Sequence, residues 1–293
     1  MLRVKILYTL ACTAVMCIAA LTGYAQNGCE KTDYDCQIRY YRDQIEKGSA
    51  NIEAYYSLAW ALQNKGEIVA SIEPLDRYLA SGEPKAEYRA DAYGMRGWAQ
   101  QKLGKDDLAI EDFNRAIALF PKAWIYRDRG ASHAHLGHWD LAVSDATQAI
   151  QLDAQMSAAY FNRGFAYMQQ QNYRAAIADF SRTIELDPTE PEAYYNRGTI
   201  YYRQKDYRSA IADLDQYISM NIRDANNLAD GYLNRGLALY YLDELDKAID
   251  DFTRAIQLAP RMKNAYTSRA AAYRMIGKTD LADADERRAS ELP

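Results

Sequence analysis

Histidine is nearly absent from this chain of 293 residues: there are three, and all of them, His133, His135 and His138, fall in one short stretch. On a helix the first two point to different faces, and His135 with His138 would still need a carboxylate such as Asp140 to make a metal site. Catalytic motifs are missing as well, with no His-Glu-x-x-His, no Gly-x-Ser-x-Gly and no glycine-rich phosphate loop. No enzyme apparatus is visible, and neither cofactor nor metal is expected. Glycine (15) and proline (7) are sparse beside abundant alanine and leucine, and no alternating strand-like run stands out. That argues against a β-rich domain and for an all-α chain. Positive charge is in deficit too: 35 Lys and Arg stand against 40 Asp and Glu, so the chain offers no general footprint for nucleic acid.

The first 25 residues depart from the rest. Arg3 and Lys5 precede an uncharged stretch from Ile6 to Leu21, and Gly23-Tyr24-Ala25 gives a small-x-small pattern before Gln26. This is the layout of a secretory signal peptide over residues 1–25. A permanent anchor is the alternative, but Thr9, Thr13, Thr22 and Gly23 dilute a run that would need about 20 strongly apolar residues to span a membrane. The expectation is an exported protein, periplasmic or secreted, with no membrane span once the signal is cleaved and a membrane anchor if it is retained. Cleavage leaves 33 basic and 40 acidic residues, a net charge of −7. Cys12 and Cys17 would leave with the signal. Cys29 and Cys36 remain as an even pair close in sequence, which suits a disulfide in an oxidising compartment; two free thiols are the alternative.

Beyond residue 51 the chain repeats itself. A small residue recurs at Ala59, Gly97, Gly130, Gly164, Gly198, Gly236 and Ala270, with spacings of 38, 33, 34, 34, 38 and 34. Four residues before each stands a tyrosine, from Tyr55 and Tyr93 to Tyr266, and twelve residues after each comes Ser71, Ala109, Ala142, Ala176, Ala210, Ala248 or Ala282. Apolar and small residues three and four apart, such as Tyr160, Gly164 and Tyr167 and then Ile177, Phe180 and Ile184, define one buried stripe on each of two helices. A short polar turn joins them, and Pro121, Pro188 or Pro260 ends the second. Each unit is thus a helical hairpin whose small residues let its helices approach closely.

These units resemble the tetratricopeptide repeat. Residues 157–190 match it most fully, from Ser157-Ala158-Ala159-Tyr160-Phe161-Asn162-Arg163-Gly164 through Asn172-Tyr173 and Ala176 to Phe180, and on to Leu186-Asp187-Pro188. The resemblance implies an α-solenoid of stacked antiparallel hairpins wound into a right-handed superhelix. The units run 52–89, 90–122, 123–156, 157–190, 191–228, 229–262 and 263–293, after an N-terminal segment, 26–51, whose Tyr34, Ile38, Tyr41 and Ile45 form the stripe of a lone capping helix. At the other end Glu286 replaces Phe113, Phe180 and Phe252, as a solvated cap requires. Three departures bear on local packing: Gly137-His138-Trp139 in place of the usual turn, Ala146 where a large residue belongs, and Pro74 interrupting a second helix. The two 38-residue units share Leu-Asp-x-Tyr (Leu75 to Tyr78, Leu214 to Tyr217), where the crowding tyrosine predicts a longer second helix or a reshaped junction.

Six units place Arg before the small residue and Asp sixteen residues later, from Arg96 with Asp112 to Arg269 with Asp285, and the first unit lacks both. Joint presence and joint absence predict an Arg–Asp pair across each hairpin. The resemblance places a binding wall on the first helices, at the residues three before, one after and four after the small residue. The wall candidates are Tyr56, Trp60, Trp98, Arg127, Phe161, Phe165, Tyr195, Tyr202 and Tyr240, an aromatic set suited to a peptide groove. A clamp for a C-terminal carboxylate would need Lys and Asn where Tyr56 and Trp60, or Gly94 and Trp98, stand. The expected function is a non-enzymatic scaffold or adaptor that binds a peptide or helix of an exported protein partner. The alternative is a chaperone-like holder of unfolded or assembling envelope proteins.

Overall fold

Alanine-rich segments with an apolar residue at every third or fourth position fold as amphipathic helices, and no strand occurs among the described residues. The computed structural model describes residues 29–30, 32–48, 51–82, 84–220 and 222–292. The expected signal peptide, 1–25, lies outside them. The helices fall into two compact units, one ending at Ala166 and one beginning at Tyr167.

The first unit opens with α1 (Tyr34–Glu46), which packs Ile38, Tyr41 and Ile45 against Leu58, Ala61 and Leu62 of α2 (Ile52–Lys65), as a capping helix would. A 3-10 turn (Val69–Ser71) leads into α3 (Ile72–Ala80), and then come α4 (Ala86–Lys102), α5 (Asp106–Leu119), α6 (Ala123–His135), α7 (Trp139–Leu152) and the start of α8 (Ser157–Gln169). The second unit holds the end of α8, then α9 (Tyr173–Leu186), α10 (Pro191–Arg203), α11 (Tyr207–Ser219), α12 (Ala225–Tyr241), α13 (Leu245–Leu258), α14 (Lys263–Met275) and α15 (Thr279–Glu291). Within each unit, consecutive helices pack as hairpins, and each hairpin packs on the next.

The small residue of the first helix answers the residue sixteen positions on. A Cβ on Gly97 would lie 2.9 Å from Cε1 of Phe113, and one on Gly236 would lie 2.7 Å from Cε1 of Phe252. Both rings are wholly buried. Alanine stands at this place in the units whose opposing residue is Leu75 or Glu286. The expected solvated cap holds too: Glu286 is exposed and accepts hydrogen bonds from Arg274 at 2.8 and 3.1 Å.

At each turn from first to second helix, seven residues after the small residue, the backbone enters the left-handed region. Gly66, Gly104, Gly137 and Gly277 do so at φ of +72° to +90°. Gln171, Lys205 and Asp243 do so at +60°, +65° and +63° despite their side chains. The Gly137 turn is therefore no departure, since it repeats the geometry of its siblings.

Pro74 also proves benign. It is the third residue of α3, where a helical N–H has no partner within the helix, so it sits inside the opening turn instead of interrupting the helix. Of the two outcomes expected for the 38-residue units, a longer second helix or a reshaped junction, the structure has the second. Their second helices are not longer: α11 has 13 residues, and α3 has 9 after its 3-10 turn, against 14 in α5, α7 and α13. The following first helices take up the excess, α4 and α12 having 17 residues against 13 in α6, α10 and α14. Tyr217 shows why. Its ring lies where a Cβ on Gly231 would come within 2.7 Å of it, and its hydroxyl donates to the Asn227 carbonyl in the added turn at 3.1 Å.

Candidate binding surface

Five of the Arg–Asp pairs lie within one unit, and all five are bidentate. Arg96, Arg129, Arg197, Arg235 and Arg269 each donate through Nε and Nη2 to the two carboxylate oxygens of Asp112, Asp145, Asp213, Asp251 and Asp285, at 2.6–2.9 Å. Arg163 and Asp179 belong to different units. The remaining nitrogen, Nη1, reaches the preceding second helix, at Asp76, Asn114, Ser181, Asp215 and Thr253 in turn. The Arg96, Arg129, Arg235 and Arg269 guanidiniums also lie 5.4–5.9 Å from the ring centres of Tyr93, Tyr126, Tyr232 and Tyr266. These arginines are committed to holding hairpins together and stacking them, so they form no ladder for an anionic ligand.

The wall candidates divide by exposure. In the first unit Tyr56, Trp60 and Trp98 are half-buried. Tyr56 lies against Tyr78 (ring centres 5.3 Å apart), and Trp60 meets the edge of Tyr34 at 5.9 Å. The Lys102 ammonium sits 5.4 Å from the Trp98 ring, and desolvation pushes it down to about 8 against the pull of Asp128. Arg127, Phe161 and Phe165 are buried. Arg127 donates to Asp128 at 2.7 Å, and Phe165 packs edge-on to Trp139 at 6.2 Å. Side chains this buried present little surface to a partner. The wall at Gly94 is filled from within, because a Cβ there would lie 2.2 Å from the Trp124 ring. Gln63 and Gln101 also turn away from solvent. Gln63 donates to the Met95 carbonyl, and Gln101 to the Asp128 carbonyl, each at 2.9 Å, so both tie one first helix to the next.

In the second unit Tyr195, Tyr202 and Tyr240 are half-buried. The Tyr195 hydroxyl accepts from Asn234 at 3.0 Å, and burial pushes its phenol up to about 12. Tyr202 and Tyr240 join a cluster that the sequence rule missed. Tyr207 and Tyr241 stack with ring centres 5.1 Å apart and planes 8° from parallel, Tyr202 lies 5.9 and 6.1 Å from them, and Tyr240 lies 5.6 Å from Tyr241. Tyr241 stays 56% exposed. It sits five residues after the small residue, one past the register used to choose wall positions, and the Tyr240-Tyr241 doublet was the available signal.

Two of the three histidines lie beside carboxylates, and His138 has its ring 5.9 Å from that of His133. His135 Nδ1 lies 2.9 Å from Asp106, and His133 Nε2 lies 3.9 Å from Asp145. Among the described residues no three His, Cys, Asp or Glu side chains converge as metal ligands, and no helix is long and apolar enough to cross a membrane.

Two family models described as tetratricopeptide repeat match the chain, one over residues 164–230 and the other over 90–122 and 229–262. Among solved structures, a crystal structure of MamA protein is 28% identical, with 58% of this chain and 90% of that one covered, at a TM-score of 0.54. PilF of Pseudomonas aeruginosa is 18% identical over 73% of this chain and 94% of that one, at a TM-score of 0.63. A tetratricopeptide repeat protein from Parabacteroides merdae is 20% identical over 82% and 93%, at 0.58. The last two likenesses concern the fold alone. Among curated proteins none matches.

Proposed function

The chain is a tetratricopeptide repeat protein, and on that premise we propose that its first helices hold a peptide or a helix of another protein against their aromatic side chains. One observation carries this reading. Tyr56, Trp60 and Trp98 in the first unit, and Tyr195, Tyr202 and Tyr240 in the second, keep part of their surface in solvent, whereas Phe113 and Phe252 on the second helices are wholly buried. A ring that only packs the fold is covered by the fold. A half-covered Trp or Tyr offers apolar area together with a polar handle, the combination that dominates interface energetics. The partner is an exported protein if the leader directs export as its sequence suggests, and the scaffold does no chemistry of its own.

The test is capture followed by truncation. Crosslinking the protein in an envelope extract should trap a recurrent partner, and Trp98→Ala should weaken that partner by about tenfold or more while the melting curve stays close to that of the parent. Loss of folding with unchanged affinity per folded molecule would make Trp98 core and overturn the reading. Equal competition by unrelated unfolded chains would favour a chaperone-like holder over a selective scaffold.

A further inference from the structure

The Cys29–Cys36 disulfide closes a short loop at the N-terminal end of the first unit, and everything it holds bears on α1. Cys36 lies in the first turn of that helix, where Asp33 caps its N–H at 2.9 Å, and the buried Gln37 side chain donates back across the loop to the Glu30 carbonyl at 3.0 Å. Tyr34, the first residue of α1, sets its ring edge on Trp60. The remaining hold is modest. A helix of 13 residues is marginal alone, and the contacts of α1 with α2 include Ile38, Tyr41 and Ile45 and an exposed Asp35–Lys65 ion pair.

We propose that the bridge is a redox latch, which fastens α1 over the end of the first unit and whose reduction releases Tyr34 from Trp60 and frees the helix before any other part of the fold. The two sulfurs are not equally open. Cys29 is 8% exposed, whereas Cys36 is half-buried, so an external dithiol meets Cys36 first. Its thiolate attacks the Cys36 sulfur, the Cys29–Cys36 bond breaks, and Cys29 leaves as a thiolate that takes up a proton. The second thiol of the reductant attacks the mixed disulfide, releases Cys36 as a thiol and closes the reductant's own disulfide. Two electrons and two protons pass to the cysteines. The freed loop regains its chain entropy, so α1 opens about 50-fold more often than in the bridged protein. Trp60 and the apolar face of Leu58 and Leu62 then open to solvent.

Hydrogen exchange on the full chain tests this without any partner, so its outcome is independent of the groove reading. With dithiothreitol as reductant, amides of residues 34–46 should lose about 50-fold in protection while those of α5 and of residues 263–291 keep theirs. Cys29→Ser combined with Cys36→Ser should match the reduced state with or without dithiothreitol. Acrylamide quenching should rise on reduction, and Trp60→Phe should abolish the rise. Equal protection of α1 in the oxidised, reduced and doubly substituted proteins would overturn the latch. So would a loss spread evenly over both units, or free thiols at Cys29 and Cys36 in protein kept from reductants.

Discussion

Arg197 and Asp213 meet along both edges of their planar groups, Nε to Oδ2 at 2.8 Å and Nη2 to Oδ1 at 2.7 Å, across the two helices of one hairpin. Little of either side chain reaches solvent, 18% for the arginine and 8% for the aspartate. Removing one partner therefore strands the other. Arg197→Leu should cost about 3 kcal/mol or more, whereas Arg197→Leu with Asp213→Leu should cost clearly less, because no buried charge is left alone. Melting curves of the two singles and the double settle it, and strict additivity would show that the pair does not act as one.

The close approach of Gly236 to Phe252 gives a second expectation. Gly236→Ala pushes a methyl group into a fully buried ring and should destabilise by about 1 to 3 kcal/mol. Phe252→Leu on that background should recover part of the loss, as the unit in which Ala59 faces Leu75 suggests. No recovery in denaturant titrations would mean that the methyl clashes with something other than the ring.

Lys205 holds a left-handed backbone at φ +65° that its Cβ disfavours. Lys205→Gly should raise stability by about 0.5 to 1 kcal/mol, the reverse of the usual penalty for glycine. Gly137→Ala should lower it by a similar amount. If both changes destabilise, unfolded-chain entropy outweighs strain at these turns.

Glu190 makes stability depend on pH. Only 4% exposed, it caps α10 by accepting the Glu192 N–H at 3.1 Å, and burial, aided by the neighbouring Glu192, pushes its carboxyl up to about 9. The folded protein thus binds this proton more tightly than the unfolded chain does. The contribution to stability is complete below the unfolded value of about 4.3 and is lost as pH rises through the folded one. Glu190→Gln should leave the melting temperature little changed near about pH 5 and raise it near about pH 9. Parallel curves for the two proteins would refute the shift.

Much of this architecture is legible in the sequence because the constraints that make it are local and repeated. A glycine facing a phenylalanine, or an arginine facing an aspartate, must recur together, so lining the chain up against itself exposes both. The added four residues of the longer units were countable but not placeable, since the crowding tyrosine is visible while Gly231 and the Asn227 carbonyl, which accommodate it, lie on the first helix that follows. The left-handed turn residue was masked because Gln171, Lys205 and Asp243 fill a place that glycine fills elsewhere. The wall was read by helical register alone. Register puts Arg127, Phe161 and Phe165 beside Trp98, but only the depth of the neighbouring side chains decides which of them the fold covers.

The regularity of the left-handed turn bears on how such a chain changes in length. Every first helix reaches that turn seven residues after its small residue, so an insertion there would shift the second helix's alanine off the glycine it faces. The start of a first helix carries no such restriction. Growth of α4 and α12 by about one turn leaves every later side chain on nearly the same face, because about 3.6 residues complete a turn. The helix start is therefore the place where the chain tolerates new sequence, and a short helical tag grafted before residue 86 or 225 should leave the packing downstream intact.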